Sequence, residues 1–386
     1  GWYFKATMLM IGTEIRTAFV STNSITQGEQ VAGVWKPLYD RFGIHIDFAH
    51  RTFRWDSEAS LKAHVHCVIV GFSIADNAMD RRLFDNGTER KCKNINAYLL
   101  DTADIFIENR SKPLCDVPEM AKGSIPVDDG NFFFSSDDYA EFIKQEPKSI
   151  RYMKKFYGAK EFLHNEERWC LWLLDVSPSE LKTMPHVMKR IKNIREFRLQ
   201  STKAATRKYA DYSTRFMEIR QPTTEYIIVP SHSSENRKYI PIGFENPNII
   251  CGNANLLISN ATLYEFGVLT SNVHMAWTKV VCGRIKSDYR YSNTVVYNNF
   301  PWCNPTPEQK AKIEKTAQAI LDARALYPDC SLADLYDETT MPPELRKAHQ
   351  ANDFAVMAAY GFDRKITESE CVAELMKRYQ ELVEKT

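Results

Sequence analysis

Apolar residues recur at helical spacing from Trp2 to about Ile15, with Phe4, Met8, Leu9 and Ile11 carrying the pattern. The period then changes. Thr17 to Asn23 reads as a short buried strand, and Glu29 to Tyr39 as a helix with Val31, Val34, Trp35 and Leu38 on one face. Ile44 to Ala49 and Val65 to Phe72 read as two further strands. Strand, helix, strand predicts a crossover in a mostly parallel sheet covered by helices. The helix pattern is already under way at the first residue, which predicts a fragment of a longer polypeptide.

After Ser73 the alternations shorten and turn signals multiply, as at Asp85-Asn86-Gly87, Val127-Asp128-Asp129-Gly130 and Pro247-Asn248. Strands are predicted over Arg168 to Leu174, Tyr226 to Pro230, Tyr239 to Phe244, Asn248 to Cys251 and Leu256 to Ser259. Helices are predicted over Ser136 to Gln145, Ile150 to Lys155, Ser179 to Ser201 and Leu263 to Leu269. From Asn304 the chain turns helical. Thr306-Pro307-Glu308-Gln309 is a capping box with proline at the first helical position. A second helix starts at Pro342 or Pro343 and stops at Gly361. A third starts at Thr367, with Glu370 completing another capping box, and buries Val372, Leu375, Tyr379 and Leu382. Three segments follow: 1–76, 77–303 and 304–386.

A length of 386 residues predicts two or three domains, and 44% hydrophobic with 26% charged residues excludes a disordered or fibrous chain. The net charge of +1 conceals segregation. Pro185 to Arg220 holds ten Lys/Arg against three Asp/Glu, while Asp101 to Pro147 holds eleven acids against four bases. A concentrated basic segment in a neutral protein suits local phosphate contact, because affinity comes from charges that meet the backbone together. The nine cysteines show no zinc-site spacing, and no apolar run reaches the length of a membrane span. A soluble, cytoplasmic protein with reduced thiols and no bound metal is expected.

Four groups of residues could carry chemistry. Phe53 and Trp55 alternate along an extended segment and point the same way, with Arg51 and Arg54 beside them for phosphates. Lys192, Arg195 and Arg198 follow at three-residue steps along a helix, and Ser201 and Thr206 add hydroxyl donors nearby. Ser234, Glu235, Asn236, Arg237 and Lys238 lie between two strands and carry the side-chain types that read base edges in a major groove. They could equally form a salt-bridged turn. Arg284, Lys286 and Arg290 form one charged face of an extended segment, and the internal Asp288 leaves room for a structural Arg/Asp pair there. His64 and His66 share a side of a strand, with Cys67 on the other, too few ligands for a metal.

The aromatic motif resembles the element of N6-adenine DNA methyltransferases in which a ring packs against the flipped base. The stretches from Ala18 to Val31 and from Ile44 to Phe48 are similar to late sheet elements of gamma-class amino-methyltransferases. Tyr157 to Leu163, Arg168 to Leu173, Ser233 to Pro241, Gly283 to Ser292, Tyr297 to Trp302 and Ser331 to Tyr336 resemble the MmeI-like type II restriction-modification enzymes. That family joins an endonuclease, an adenine methyltransferase, a target-recognition domain and a C-terminal helical bundle in one polypeptide. The resemblance implies an α/β plus α+β fold. Its parts would be a partial Rossmann-like methyltransferase sheet (1–76), a mixed target-recognition domain (77–303) and a C-terminal helical module (304–386).

It further implies double-stranded DNA as partner, S-adenosylmethionine as cofactor of the full-length enzyme, and the upstream half of the same polypeptide as a second partner. Phe53, or failing it Trp55, would stack on the flipped adenine. The family's glycine-rich cofactor turn and its Asn-Pro-Pro-Tyr or Asn-Pro-Pro-Phe tetrapeptide do not occur in this sequence, so the chain alone is expected to be inactive and to hold no cofactor. Two other readings remain: a stand-alone DNA-specificity subunit, and a structural nucleic-acid-binding protein without sequence preference.

Overall fold

The computed structural model describes residues 1–56, 64–75 and 80–385. Five strands near the amino end form one mixed sheet: β1 (Thr17–Thr22), β2 (His45–Asp56), β3 (His64–Ser73), β4 (Arg81–Asp85) and β5 (Thr88–Cys92), in the order β1-β3-β2-β4-β5. The expected crossover exists, since Glu29–Phe42 is a helix between β1 and β2 and buries Val31, Trp35 and Leu38. The expectation of a mostly parallel sheet does not hold. β3 inserts antiparallel between β1 and β2, β4 pairs parallel with β2, and β5 pairs antiparallel with β4. A periodicity of two marks a strand but says nothing about its neighbour. β1 alternates half-buried and exposed positions instead of being buried throughout. The first helix closes at Met10, before the left-handed turn at Gly12, and leaves Ile11 and Ile15 exposed.

The middle of the chain builds two four-stranded sheets. One runs Gly243–Glu245, Tyr226–Pro230, Asn255–Ser259, Met120–Lys122, antiparallel throughout. The other runs Ile250–Cys251, Met153–Tyr157, Trp169–Leu171, Phe133–Phe134 and encloses its own core around Phe132, Phe134, Phe156 and Phe216. Three expectations are corrected here. Ile150 to Lys155 is the end of a 3-10 turn followed by a strand, in which Met153 and Phe156, on opposite faces, are both buried. The predicted helix over Ser179 to Ser201 is two helices, Pro178–Leu181 and Pro185–Leu199, because the residue before a proline is pushed out of the helical region. Of Tyr239 to Phe244 only Gly243–Glu245 pairs, since Pro241 has no N–H for a ladder.

The C-terminal helices Pro307–Ala325 and Glu368–Val383 start at the expected capping boxes of Thr306 with Gln309 and Thr367 with Glu370. Between them lies Pro343–Ala359. They do not close on themselves. Pro307–Ala325 packs on Leu263–Leu269 as well as on Pro343–Ala359, and Glu368–Val383 packs on Asn272–Val281. One apolar core therefore runs from Trp35 and Phe72 through Trp277 and Phe300 to Leu375 and Met376. Buried polar contacts reinforce the joint: Tyr239 donates to Asp353 (2.6 Å), and Asn352 to the Gly267 carbonyl (2.7 Å). Among the described residues no helix is long and apolar enough to cross a membrane.

Candidate nucleic-acid interface

β2 runs beside β4 only as far as His50. Its register with β3 then shifts between His50 and Phe53; beyond the shift Phe53 faces Cys67, which still pairs with Thr22 of β1, and Trp55 faces Val65 where only β2 and β3 continue. Residues two apart on a strand share a face. Accordingly the rings of Phe53 and Trp55 meet, with centroids 6.3 Å apart. Phe53 is half-buried and Trp55 is 53% exposed, so neither is sealed in a core. Arg51 does not face outward with them. Its Nε donates to the Leu99 carbonyl (3.0 Å) and its Nη1 to Asp85 Oδ2 (3.0 Å), so these two donors, expected to reach phosphates, are turned to protein groups. The acid that ends β4 lies closer than any external partner.

Two groups far apart in sequence are brought together by a three-stranded sheet. His232–Ser233 pairs with Asp288–Arg290, which pairs with Gly283–Ile285. The loop Ser234 to Lys238 thus stands over the hairpin bearing Arg284, Lys286 and Arg290. Asp288 accepts from the Glu235 N–H (3.2 Å), and the Asn236 N–H donates to Ser234 Oγ (3.3 Å). The acid therefore holds the loop backbone instead of an arginine. Arg284 is mostly buried: its Nη1 donates to the Ser287 carbonyl (2.7 Å), its guanidinium lies 4.3 Å from the Tyr289 ring centre, and Glu235 approaches to 3.7 Å. It supports the loop through these contacts, the structural share that Asp288 and its neighbours suggest. Arg237 is half-buried, and burial lowers its pKa against the pull of Asp288 and Asp337. Asn236, Lys238, Lys286 and Arg290 remain exposed, with Lys286 in a left-handed turn.

A groove of about 460 Å³ separates this sheet from the turn between β1 and the Glu29–Phe42 helix. Gln27 and Gln30 face Lys122, His232, Arg284 and Arg290 across it, and Glu29 is its acid. With Arg284 engaged by its own loop, Lys122 and Arg290 still outnumber Glu29, a balance that suits an anionic partner. Burial, and then the charge of Arg290, hold the His232 imidazole below its ordinary pKa, leaving it mostly neutral near pH 7. Gln27, Gln30, Lys122 and His232 were not identified from sequence as part of a site. Lys122 lies within the acidic stretch, and only the sheet pairing of Met120–Lys122 with Asn255–Ser259 carries it to the groove.

Three family models match successive parts of the chain. Residues 1–85 match the family model described as MmeI, DNA-methyltransferase domain, residues 101–304 MmeI, target recognition domain, and residues 305–386 MmeI, C-terminal domain. The chain belongs to the MmeI family.

A curated relative, DNA methyltransferase A of Bacillus subtilis (strain 168), is 38% identical over 384 residues, which is 100% of this chain and 44% of that protein. The type IIL restriction-modification enzyme MmeI, solved in complex with DNA, superposes with a TM-score of 0.93 at 46% identity over 99% of this chain and 52% of that one. The chain thus spans about half the length of these two proteins.

The basic helix Pro185–Leu199 lies within the MmeI target-recognition match. Lys192 and Arg195 are exposed, Lys192 3.9 Å from Glu196 and Arg195 3.5 Å from Asp211. Arg198 is not: it is 0% exposed and donates to the carbonyls of Pro126, Val127, Tyr209, Tyr212 and Arg215 at 2.7–3.2 Å. Each three-residue step turns about 60° back around a helix of 3.6 residues per turn, so the third basic residue reaches the buried face of Val187, Ile191 and Ile194. Thr206 is also buried, its hydroxyl near Met217 Sδ (3.9 Å), and is corrected as a phosphate donor. Ser201 is half-buried and its Oγ accepts from the Lys203 N–H (3.2 Å).

An MmeI-type methyltransferase domain implies S-adenosylmethionine in general. Gly28, the N-cap of the helix that follows β1, packs directly against the Gly283 backbone. Among the described residues no group of three His, Cys, Asp or Glu side chains could hold a metal; the side chain of His64 lies outside them.

Proposed function

We propose that the full-length protein is a site-specific DNA adenine-N6 methyltransferase of a restriction-modification system, and that this chain carries its DNA recognition and base-stacking elements. Residues 1–76 would be the late part of the methyltransferase domain, 77–303 the target-recognition domain and 304–386 the helical module that braces it. The observation that carries this reading is the Phe53–Trp55 pair, half-buried and exposed respectively, where β2 runs past β4 beyond the apolar cores. An adenine inside a duplex cannot be reached at N6, and an extruded one loses its stacking neighbours. The Phe53 ring replaces one of them, with Trp55 as the second choice. Lys192 and Arg195 neutralise phosphates. Asn236, Lys238, Lys286 and Arg290 face the duplex from the recognition sheet, where amide and guanidinium groups can distinguish base edges. The methyl donor, S-adenosylmethionine, belongs with the upstream half of the polypeptide.

The test is modification mapping of DNA from cells making the full-length protein, followed by Phe53→Ala in that protein. Methylation of one adenine in a fixed context is expected, severely reduced by Phe53→Ala with DNA affinity comparatively intact. Unchanged turnover would assign the ring to packing. Specific binding with every adenine unmodified would favour a stand-alone specificity subunit.

A further inference from the structure

Arg51 stands where β2 leaves the five-stranded sheet. Up to His50 the strand has β4 on one side and β3 on the other; from Phe53 onward it has β3 alone. The register shift between His50 and Phe53 places Arg51 and Thr52 in a bulge, the device by which a strand is bent and its next side chains re-aimed. Both bulge residues are tied down. Arg51 grips the last residue of β4, Asp85, and the Leu99 carbonyl, while Thr52 Oγ1 accepts from Asn23 Nδ2 (3.4 Å).

The Leu99 carbonyl is itself fixed. Leu99 is buried in the left-handed region at φ +57°, a conformation costing a side-chain-bearing residue roughly 1–2 kcal/mol. The turn is held because Asn96 Oδ1 accepts from the N–H groups of Tyr98 and Leu100 (3.0 and 3.1 Å) and the Asn96 carbonyl from that of Leu99 (2.9 Å). A carbonyl presented by so constrained a turn offers a fixed anchor for a guanidinium.

We propose that Arg51 is a positioning residue for the base-stacking pair, locking the β2 bulge to Asp85 and the Leu99 carbonyl so that Phe53 and Trp55 project at a set angle from the sheet. The inference rests on the base-stacking reading above. It replaces a direct phosphate contact with an indirect role: Arg51 touches no DNA, and its removal leaves the ring in place but misdirected.

The test uses the full-length enzyme and compares Arg51→Met, Arg51→Lys, Asp85→Asn, Phe53→Ala and the double variant Arg51→Met/Phe53→Ala, with thermal unfolding recorded for each. On a short duplex, Arg51→Met is expected to lower kcat roughly ten- to a hundredfold, the range a misplacement of about 1 Å produces. KM for DNA should change by less than about threefold, as for an interaction made only in the transition state. Arg51→Lys should fall between, because an ammonium can reach Asp85 but cannot span both acceptors. Asp85→Asn should give a smaller loss in the same direction from the other end of the contact, which covers the case of an Arg51 variant that fails to fold. With 2-aminopurine at the target adenine, Arg51→Met should retain the fluorescence rise of extrusion while losing the quenching due to stacking.

The double variant should lose no more activity than Phe53→Ala alone, since Arg51 acts through that ring. Multiplied losses, or a fall of about one in the salt dependence of DNA binding, would make Arg51 an independent or phosphate-binding group and overturn the proposal. If Phe53→Ala itself leaves kcat unchanged, the base-stacking reading fails and the proposal with it. If Phe53→Ala lowers kcat and Arg51→Met does not, the positioning role alone is lost.

Discussion

Gly28 and Gly283 meet backbone to backbone: a Cβ on Gly28 would lie 2.9 Å from the Gly283 Cα and 3.1 Å from its nitrogen. Gly28 caps the crossover helix of the methyltransferase-type sheet, and Gly283 opens the hairpin bearing Lys286 and Arg290. The contact sets the closest approach of the two parts along the groove of Lys122, His232 and Arg290.

Gly28→Ala should therefore destabilise the chain by roughly 2–4 kcal/mol, combining a backbone at φ +57° and ψ −148°, a region essentially reserved for glycine, with overpacking against main chain that cannot yield. Gly12→Ala is the control. Gly12 also has a positive φ, +70°, but nothing lies within 4 Å of the added carbon, so about 1–2 kcal/mol is expected. Denaturant unfolding of both variants reads the difference; equal losses would mean that the seam tolerates a methyl group.

Arg198→Met should cost about 3 kcal/mol or more, because it removes all the guanidinium hydrogen bonds to five carbonyls, of which Pro126 and Tyr212 keep only one backbone donor each, from Met217 and Arg215. These carbonyls belong to 126–127, where the chain enters the lobe built on Phe132 and Phe216, and to 209–215, where it leaves. Loss of amide-exchange protection confined to this lobe is expected; uniform loss across the chain would remove Arg198 from its role as the tie.

Lys192→Gln with Arg195→Gln should leave unfolding nearly unchanged, both side chains being exposed with distant partners. In the full-length protein the pair should weaken DNA binding about equally for all sequences and reduce the magnitude of the logarithmic salt slope by about 1–2. An unchanged slope would take this helix off the phosphate track.

Burial pushes the Glu245 carboxyl up to about 7, with the Glu225 charge adding to it, against the Asn246 backbone hydrogen bond. Its folded pKa lies above the unfolded value near 4.5, so the folded state binds the extra proton. The stability contributed is full below about pH 4.5 and is lost as pH rises through 7. Glu245→Gln should remove this dependence and stabilise the chain at pH 8 by roughly 1–3 kcal/mol. Unfolding measured at pH 5 and pH 8 for both proteins checks the sign; a variant equally affected at both values would point to packing.

Local rules were legible without coordinates wherever a residue answers only to its neighbours in the chain. The capping boxes at Thr306 and Thr367, the helices Ser136–Gln145 and Leu263–Leu269 and the strand Tyr226–Pro230 form where their residues predict, because caps and periodicity act within a few positions. Family membership was equally legible in stretches such as Ser233 to Pro241. Partner choice was not. The insertion of β3 between β1 and β2, the turning of Arg198 into a core and of Arg51 toward Asp85, and the arrival of Lys122 opposite Gln27 each depend on residues tens to hundreds of positions away. The order of residues settled which side chains carry charge and which segments coil or extend. Only tertiary structure settled which cations face solvent, since a guanidinium contacts a carbonyl or a phosphate according to which one packing brings within reach.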